Sequence, residues 1–314
     1  METRKGKVIK NTGSWYGVLT ADGSVVNCKV KGTFRLRGIR TTNPVAVGDD
    51  VEIDLTTPDA AYITRIETRR NYIIRRASNL SKEAHIIASN LDQTMLVVSL
   101  REPATSTTFI DRFLATAEAY AVPAVLIINK VDLLEGDDAE LCEAVAYLYR
   151  SIGYRVVLTS ATTGDGLDEL RELLHGKISL MSGNSGVGKS SLINRLIPGL
   201  DLRTAAISAQ HHTGMHTTTF SEMFRYDDEG GFIIDTPGVK GFGTIDFDAA
   251  ETGHYFPEIF ATSRHCRYGD CTHTHEPGCA VRQAVDEHRI SQSRYASYLS
   301  ILDDSAADKY RKPY

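Results

Sequence analysis

Gly183-Asn184-Ser185-Gly186-Val187-Gly188-Lys189-Ser190 fills every fixed position of the pattern G-x-x-x-x-G-K-[ST]. The stretch on either side has the form this pattern needs. Ile178-Ser179-Leu180-Met181 reads as a short buried strand, and Ser191-Leu192-Ile193-Asn194-Arg195-Leu196 reads as a helix stopped by Pro198-Gly199. A glycine turn between a strand and a helix start lets backbone N–H groups converge on phosphate oxygens, where the helix N-terminus also favours negative charge. Lys189 would reach the β- and γ-phosphates and Ser190 would ligate Mg²⁺, with Ser191 opening the helix behind them.

Upstream, apolar strands alternate with helical segments. Strands are predicted over Thr94–Leu100, Ala124–Asn129, Arg155–Ser160 and Ile178–Ser182, and helices over Ile110–Tyr120, Ala139–Ile152 and Gly166–His175. This alternation implies a parallel sheet covered by helices on both faces, with ligands at the strand ends. Asn129-Lys130-Val131-Asp132 ends one such strand. Asp132 can accept from the ring N–H and the exocyclic amino group of guanine, a donor pair adenine lacks; Asn129 can bridge base and protein, and the Lys130 stem can cover the ring. Ser160-Ala161 ends the next strand and resembles the companion motif whose backbone N–H meets the guanine oxygen. Together these point to GTP and GDP rather than adenine nucleotides. Downstream, Asp235-Thr236-Pro237-Gly238 follows the strand Gly231-Phe232-Ile233-Ile234, placing Asp235 to hold Mg²⁺ through water and the Gly238 N–H to sense a γ-phosphate. In the run His216-Thr217-Thr218-Thr219, Thr218 is the residue expected to close over Mg²⁺.

The 314 residues suit two or three domains. A formal charge of −5 hides an asymmetry: residues 1–76 carry 14 Lys/Arg against 8 Asp/Glu, a surplus of 6 that leaves −11 on the remainder. A basic N-terminal domain suggests a polyanionic partner. Five β-prone runs, Gly6–Ile9, Trp15–Thr20, Ser24–Val30, Asp50–Ile53 and Tyr62–Glu67, predict a small closed barrel of the oligonucleotide/oligosaccharide-binding (OB) fold. Trp15, Tyr16 and Phe34 interleave with Lys29, Lys31, Arg35, Arg37 and Arg40, a mixture RNA could meet as stacking platforms and phosphate contacts; alternatively the aromatics are barrel core and the charges a solvated rim. No stretch approaches a membrane span, and Met1–Lys7 lacks the apolar centre of a signal peptide, so a cytoplasmic protein is expected.

Of five cysteines, three crowd between 266 and 279: Cys266, Cys271 and Cys279, with His273 or His275 as a fourth donor. Four such ligands with no open position make a closed tetrahedral Zn²⁺ site, structural rather than catalytic. Cys28 and Cys142 read as buried small apolar residues, and helices are expected over Ala280–His288 and Tyr295–Leu302.

The order of these motifs is unusual. An ordinary GTPase runs phosphate loop, threonine switch, D-x-x-G, N-K-x-D and S-A; here the last two come first, which is a circular permutation. With Gly183–Ser191, Asn129–Asp132 and Asp235–Gly238 in this order behind a barrel and ahead of a cysteine-rich tail, the chain resembles the ribosome small subunit-dependent GTPase A family over nearly its whole length. The resemblance implies an OB-fold barrel over residues 1–70, a circularly permuted α/β P-loop GTPase domain over 71–244 and a zinc-binding helical domain over 245–314. It implies GTP hydrolysis stimulated by the small (30S) ribosomal subunit late in its maturation and contact with its 16S rRNA; a monomer is expected. It also selects His273, within Thr272-His273-Thr274-His275-Glu276-Pro277-Gly278-Cys279, as the fourth zinc ligand. Val239 stands where many GTPases carry a glutamine, and His216 is the imidazole expected to position water instead. The second switch, Asp235–Gly243, runs directly into the zinc domain, so loss of the γ-phosphate is expected to move that domain. Two rivals remain at this stage: a nucleotide-gated RNA-binding translation regulator in which hydrolysis only resets affinity, and a zinc hydrolase or deaminase, disfavoured by the absence of an H-x-E pattern at the cysteines.

Overall fold

The computed structural model describes residues 3–30, 44–56, 60–76, 84–202, 221–236, 247–248 and 250–310. The N-terminal region forms five short strands: β1 (Thr3–Asn11), β2 (Tyr16–Thr20), β3 (Val25–Val30), β4 (Asp50–Asp54) and β5 (Ala61–Ile66). β1 pairs antiparallel with both β2 and β4, β2 with β3 and β4 with β5, while β3 and β5 run parallel; the ring closes and no strand is left an edge. Val8, Tyr16, Val18, Cys28, Val51, Ile53 and Ile63 fill it. Tyr16, offered above as a stacking platform, is therefore core: along β2 successive side chains alternate, and the Tyr16 face points inward with Val18. Trp15, just outside the strand, is exposed, with the Lys29 ammonium 4.5 Å from its ring centroid. Lys31, Phe34, Arg35, Arg37 and Arg40 lie outside the described residues.

A hairpin of β6 (Tyr72–Arg76) and β7 (Ala84–Ser89) forms a separate two-stranded sheet. The sequence alone gives only a segment leading out of the barrel here. A buried ion pair fixes the barrel to it. Arg69 donates to both carboxylate oxygens of Asp49, each at 2.6 Å, and Ser89 Oγ donates to Asp49 Oδ1 at 2.6 Å. Gly48, at φ 95°, packs where a Cβ would lie 2.1 Å from the Ser89 carbonyl oxygen, so only glycine permits this approach.

The second layered unit is a six-stranded sheet in the order β10 (Arg155–Thr159), β9 (Ala124–Asn129), β8 (Gln93–Val98), β11 (Ile178–Gly183), β13 (Phe232–Asp235), β12 (Glu222–Arg225). All pairings are parallel except β12 with β13. Helices cover both faces, so the strands are apolar on both sides: Met95 and Val97 face α3 (Leu167–Leu174) and α4 (Lys189–Leu196), while Leu96 and Val98 face α1 (Thr107–Ala119) and α2 (Asp137–Ile152). The strand carrying the phosphate loop thus sits at the centre beside the first strand of the unit. Chain order is rotated, but spatial order is that of a doubly wound sheet. One pairing, Lys10 with Glu222, joins β12 to β1 across the two units.

The remainder is helical: α5 (Pro257–Ser263), α6 (Ala280–Asp286) and α7 (Gln292–Tyr310) around Phe256, Ile259, Val281, Tyr298 and Ile301. Ala115 of α1 belongs to the same apolar cluster, so this region packs directly on the central unit. Its interface contains charge. Arg294, 1% exposed, donates to Asp111 at 2.8 Å and to Glu258 at 2.6 and 3.1 Å, and Tyr149 donates to Asp111 at 2.7 Å. Although burial opposes it, the Glu258 bonds and the Asp111 charge hold Arg294 above its ordinary pKa and keep it cationic. Cys28 and Cys142 are buried, as the sequence suggested. Among the described residues no helix is long and apolar enough to cross a membrane.

Candidate functional site

The phosphate loop leaves β11 at Gly183 and enters α4 at Gly188, whose φ of 90° is the left-handed conformation that turns the chain into the helix. A Cβ on Gly183 would meet the Val97 carbonyl oxygen at 2.5 Å, and one on Gly188 would meet Asn129 Nδ2 at 2.3 Å. These glycines are needed because neighbouring strands and side chains approach the loop's backbone closely, leaving Asn184, Ser185 and Gly186 on its outer rim.

Asn129 ties the site together. Its buried amide donates from Nδ2 to the Val187 carbonyl at 2.8 Å, and its Oδ1 accepts from Thr159 Oγ1 at 3.1 Å and from the Ala161 N–H at 3.3 Å. One side chain therefore links the end of β9, the end of β10 and the phosphate loop 58 residues away. Ser160 Oγ accepts from the N–H groups of Thr162 and Thr163 at 3.2 and 3.1 Å, which shapes the turn carrying Ala161. Lys130 adopts the left-handed conformation at φ 66° and donates to the Glu102 carbonyl, and Val131 and Asp132 follow in a single 3₁₀ turn. Asp132 lines a cleft of about 410 Å³ together with Asn129, Lys130, Ala161, Thr162, Gly188 and Ser191. Three motifs scattered over the sequence thus face one space.

Lys189 is the first residue of α4 and is buried; its ammonium contacts the Asp235 carboxylate at the end of β13. Burial pushes the amine down to about 8, and an anion beside it would offset that cost. Ser190 and Asp235 supply hard oxygen donors at this end of the site, the chemistry Mg²⁺ prefers. Thr236 is buried, donating to the Met181 carbonyl at 3.2 Å and so fastening the strand end to β11. His216, Thr218 and Gly238, with Val239, lie outside the described residues.

Some neighbours of the cleft went unread in the sequence. Asn194 and Arg195 also line it, and their spacing from Ser191 along α4 was an available signal, since residues three and four apart share a helix face. Pro103, whose ring carbons lie 3.2 and 3.7 Å from a Cβ built on Gly186, carried no local signal at all.

A second site lies in the helical region. Cys266 Sγ and Cys279 Sγ are 3.6 and 3.5 Å from His273 Nδ1 and 4.0 Å from each other, and with Cys271 all four donor atoms fall within 4.8 Å of one another. Bond lengths of about 2.3 Å to sulfur and 2.0 Å to nitrogen require tetrahedral edges of roughly 3.5–3.8 Å, so this group could hold a closed four-coordinate ion. His275 is exposed and turned to Thr274 Oγ1 at 2.8 Å. The supporting shell is firm: Tyr295 and Tyr298 donate to the His273 and Thr272 carbonyls at 2.6 Å each, and Glu276 accepts from Thr272, Thr274 and His275 backbone N–H groups. Burial opposes ionisation of Glu276, but the Thr272 bonds and these N–H groups outweigh it and hold its carboxyl well below the usual range. A third grouping, His175, Asp227 and Glu229, is largely exposed, and Asp227 already accepts from the Gly176 and Gly231 N–H groups as a turn brace.

Comparison with known proteins follows the same division. The family model described as RsgA GTPase matches residues 66–245, and that described as RsgA N-terminal domain matches residues 5–63. A protein of Bacteroides fragilis described as small ribosomal subunit biogenesis GTPase RsgA is 62% identical over 310 residues, covering 99% of this chain and 100% of that protein. One of the same description from Porphyromonas gingivalis is 58% identical over 313 residues, covering 98% and 99%. The crystal structure of YjeQ from Thermotoga maritima superposes with a TM-score of 0.77 at 36% identity, over 97% of this chain and 99% of that one. That of YloQ, described as a circularly permuted GTPase, gives 0.72 at 30% identity over 100% and 97%.

Proposed function

Because the chain belongs to the RsgA GTPase family and is therefore a GTP-hydrolysing enzyme, we propose that it hydrolyses GTP to GDP and phosphate during late maturation of the small (30S) ribosomal subunit. In this reading the subunit stimulates turnover, and a cytoplasmic monomer contacts its 16S rRNA. The observation that carries the proposal is the single cleft where Asn129, Lys130, Asp132 and Ala161 meet Gly188 and Ser191. Base choice and phosphate binding converge there. Asp132 accepts from the two guanine N–H donors, Lys130 covers the ring, and the loop from Gly183 to Ser191 cradles the phosphates through its N–H groups.

Hydrolysis is attack by water on the γ-phosphorus with departure of the β-phosphate oxygen, and charge accumulates on the transferred oxygens. Lys189 leaves Asp235 for the β- and γ-phosphates and offsets that charge. Ser190, Asp235 and Thr218 would hold Mg²⁺, which when bound neutralises phosphate charge. Gly238 senses the γ-phosphate through its N–H, and His216 positions water in place of the missing glutamine. Cys266, Cys271, His273 and Cys279 would hold a structural Zn²⁺, their four donors meeting its need for ligands.

Two exposed surfaces support rRNA contact. One is Trp15 with Lys29 on the barrel. The other lies beside the cysteines, where the Arg264 and Arg267 guanidiniums sit over the rings of Phe260 and Tyr268 at 5.4 and 5.5 Å. The test is GTP turnover by the full chain with and without purified small subunits. Turnover should rise with subunits and fall steeply in Lys189→Ala; a rate indifferent to subunits would refute the ribosomal part of the reading.

A further inference from the structure

Three of the large apolar side chains most exposed among the described residues fall on one short stretch: Leu133 at 43%, Leu141 at 52% and Tyr147 at 75%. Leu133 precedes α2, and the other two lie on its outer side. Around the helix, Leu141, the exposed Ala144 and the half-buried Leu148 follow at i, i+3 and i+7, with Tyr147 alongside. Cys142, Val145, Ala146 and Tyr149 occupy the opposite, core-facing side, so the outer stripe is not needed for packing. Isolated exposed apolar residues are ordinary, but a stripe at helical spacing is the form in which a helix presents a docking face.

Charge says what kind of partner the stripe fits. Every charged side chain from Val131 to Tyr149 is acidic, six in all. Asp138 is paired with Arg101 at 3.0 Å, whereas Glu140 and Glu143, which flank the stripe, have no ion-pair partner among the described residues. Nucleic acid approaching this face would bring phosphate against carboxylate. A cationic polypeptide with apolar side chains matches both features.

Resting on the small-subunit reading, we propose that the outer face of α2, anchored by Leu141 and Tyr147 and flanked by Glu140 and Glu143, docks a basic, apolar-bearing segment of a protein on the small subunit. The molecule then meets that particle in two chemically opposite ways: cationic aromatic surfaces toward RNA and an acidic apolar helix toward protein.

The experiment uses the full chain, a non-hydrolysable GTP analogue and purified small subunits at fixed salt, with affinity read by co-sedimentation. Leu141→Ser with Tyr147→Ser should weaken binding at least about ten-fold, with basal GTP turnover and thermal midpoint unchanged, because the anchors of such a face carry most of its energy. Glu140→Lys with Glu143→Lys supplies the sign. A cationic protein partner predicts binding weakened several-fold, and a phosphate partner predicts it strengthened. Tighter binding of the charge-reversed variant, or wild-type affinity in either variant, overturns the proposal while leaving the GTPase reading intact. Failure of the wild-type chain to bind subunits at all would instead overturn the ribosomal reading, and this docking face with it.

Discussion

The cleft around Asn129 and the Cys-His cluster are both built by bringing four or more functional groups into one small space, yet they are assembled in opposite ways. The cluster draws its donors from the fourteen residues Cys266 to Cys279 and closes completely, whereas the cleft gathers strand ends and a loop from residues 129 to 195 and stays open. A site whose donors are neighbours in the chain can be read from spacing and, once filled, has nothing left for a substrate. A site assembled across a sheet needs a hub to hold it, and here Asn129 is that hub.

The largest effect should come from removing the metal. Structural Zn²⁺ sites contribute on the order of 10 kcal/mol or more to the fold that contains them. Chelation or Cys279→Ala should therefore unfold the helical region, seen as loss of helical circular dichroism, while guanine nucleotide binding persists. If nucleotide affinity fell in parallel, the two sites would not be independent. Next is Arg294→Met, which strands the buried Asp111 carboxylate and the partly buried Glu258 carboxylate and should cost about 3–5 kcal/mol in denaturant unfolding. This clamp bears on the expectation that γ-phosphate loss moves the zinc domain. A buried ionic joint to α1 holds that region to the sheet, so probes on α1 and α7 should keep their separation between GTP- and GDP-bound states.

Lys189→Ala should lower kcat by about 10²–10³-fold, or roughly 3–4 kcal/mol of barrier, with the thermal midpoint little changed. That outcome separates a chemical role from a structural one. The smallest effect is expected for Asn129→Ala, at about 1–3 kcal/mol in stability for the buried groups left unpaired, accompanied by weaker GTP binding. An Asn129 variant that lost stability but bound GTP normally would reduce the hub to a structural brace.

Legibility differed by region for physical reasons. The strands of the barrel and, apart from β12, of the central sheet are legible to within three residues because alternation and apolar runs are local signals. The β6–β7 hairpin, β12 and α5 were not read. β12 is four residues long, and α5 is one short helix placed by the core around Phe256. In the cleft, each motif was recognisable from its own residues. The Asp49–Arg69–Ser89 and Asp111–Arg294–Glu258 joints had no sequence signal, since a charged residue destined for burial looks like one destined for solvent until its partner, 20 to 183 residues away, is beside it.

Glycine spacing, strand-end tetrapeptides and clustered thiols carried the chemistry in the chain itself, because each depends on residue type at short separation. Which face of β2 turned Tyr16 inward, how Asn129 reached Val187, and where buried ion pairs joined barrel to hairpin and central sheet to helical region were settled only on folding. Those outcomes depend on burial and on contacts between distant residues, and neither is encoded in any single stretch.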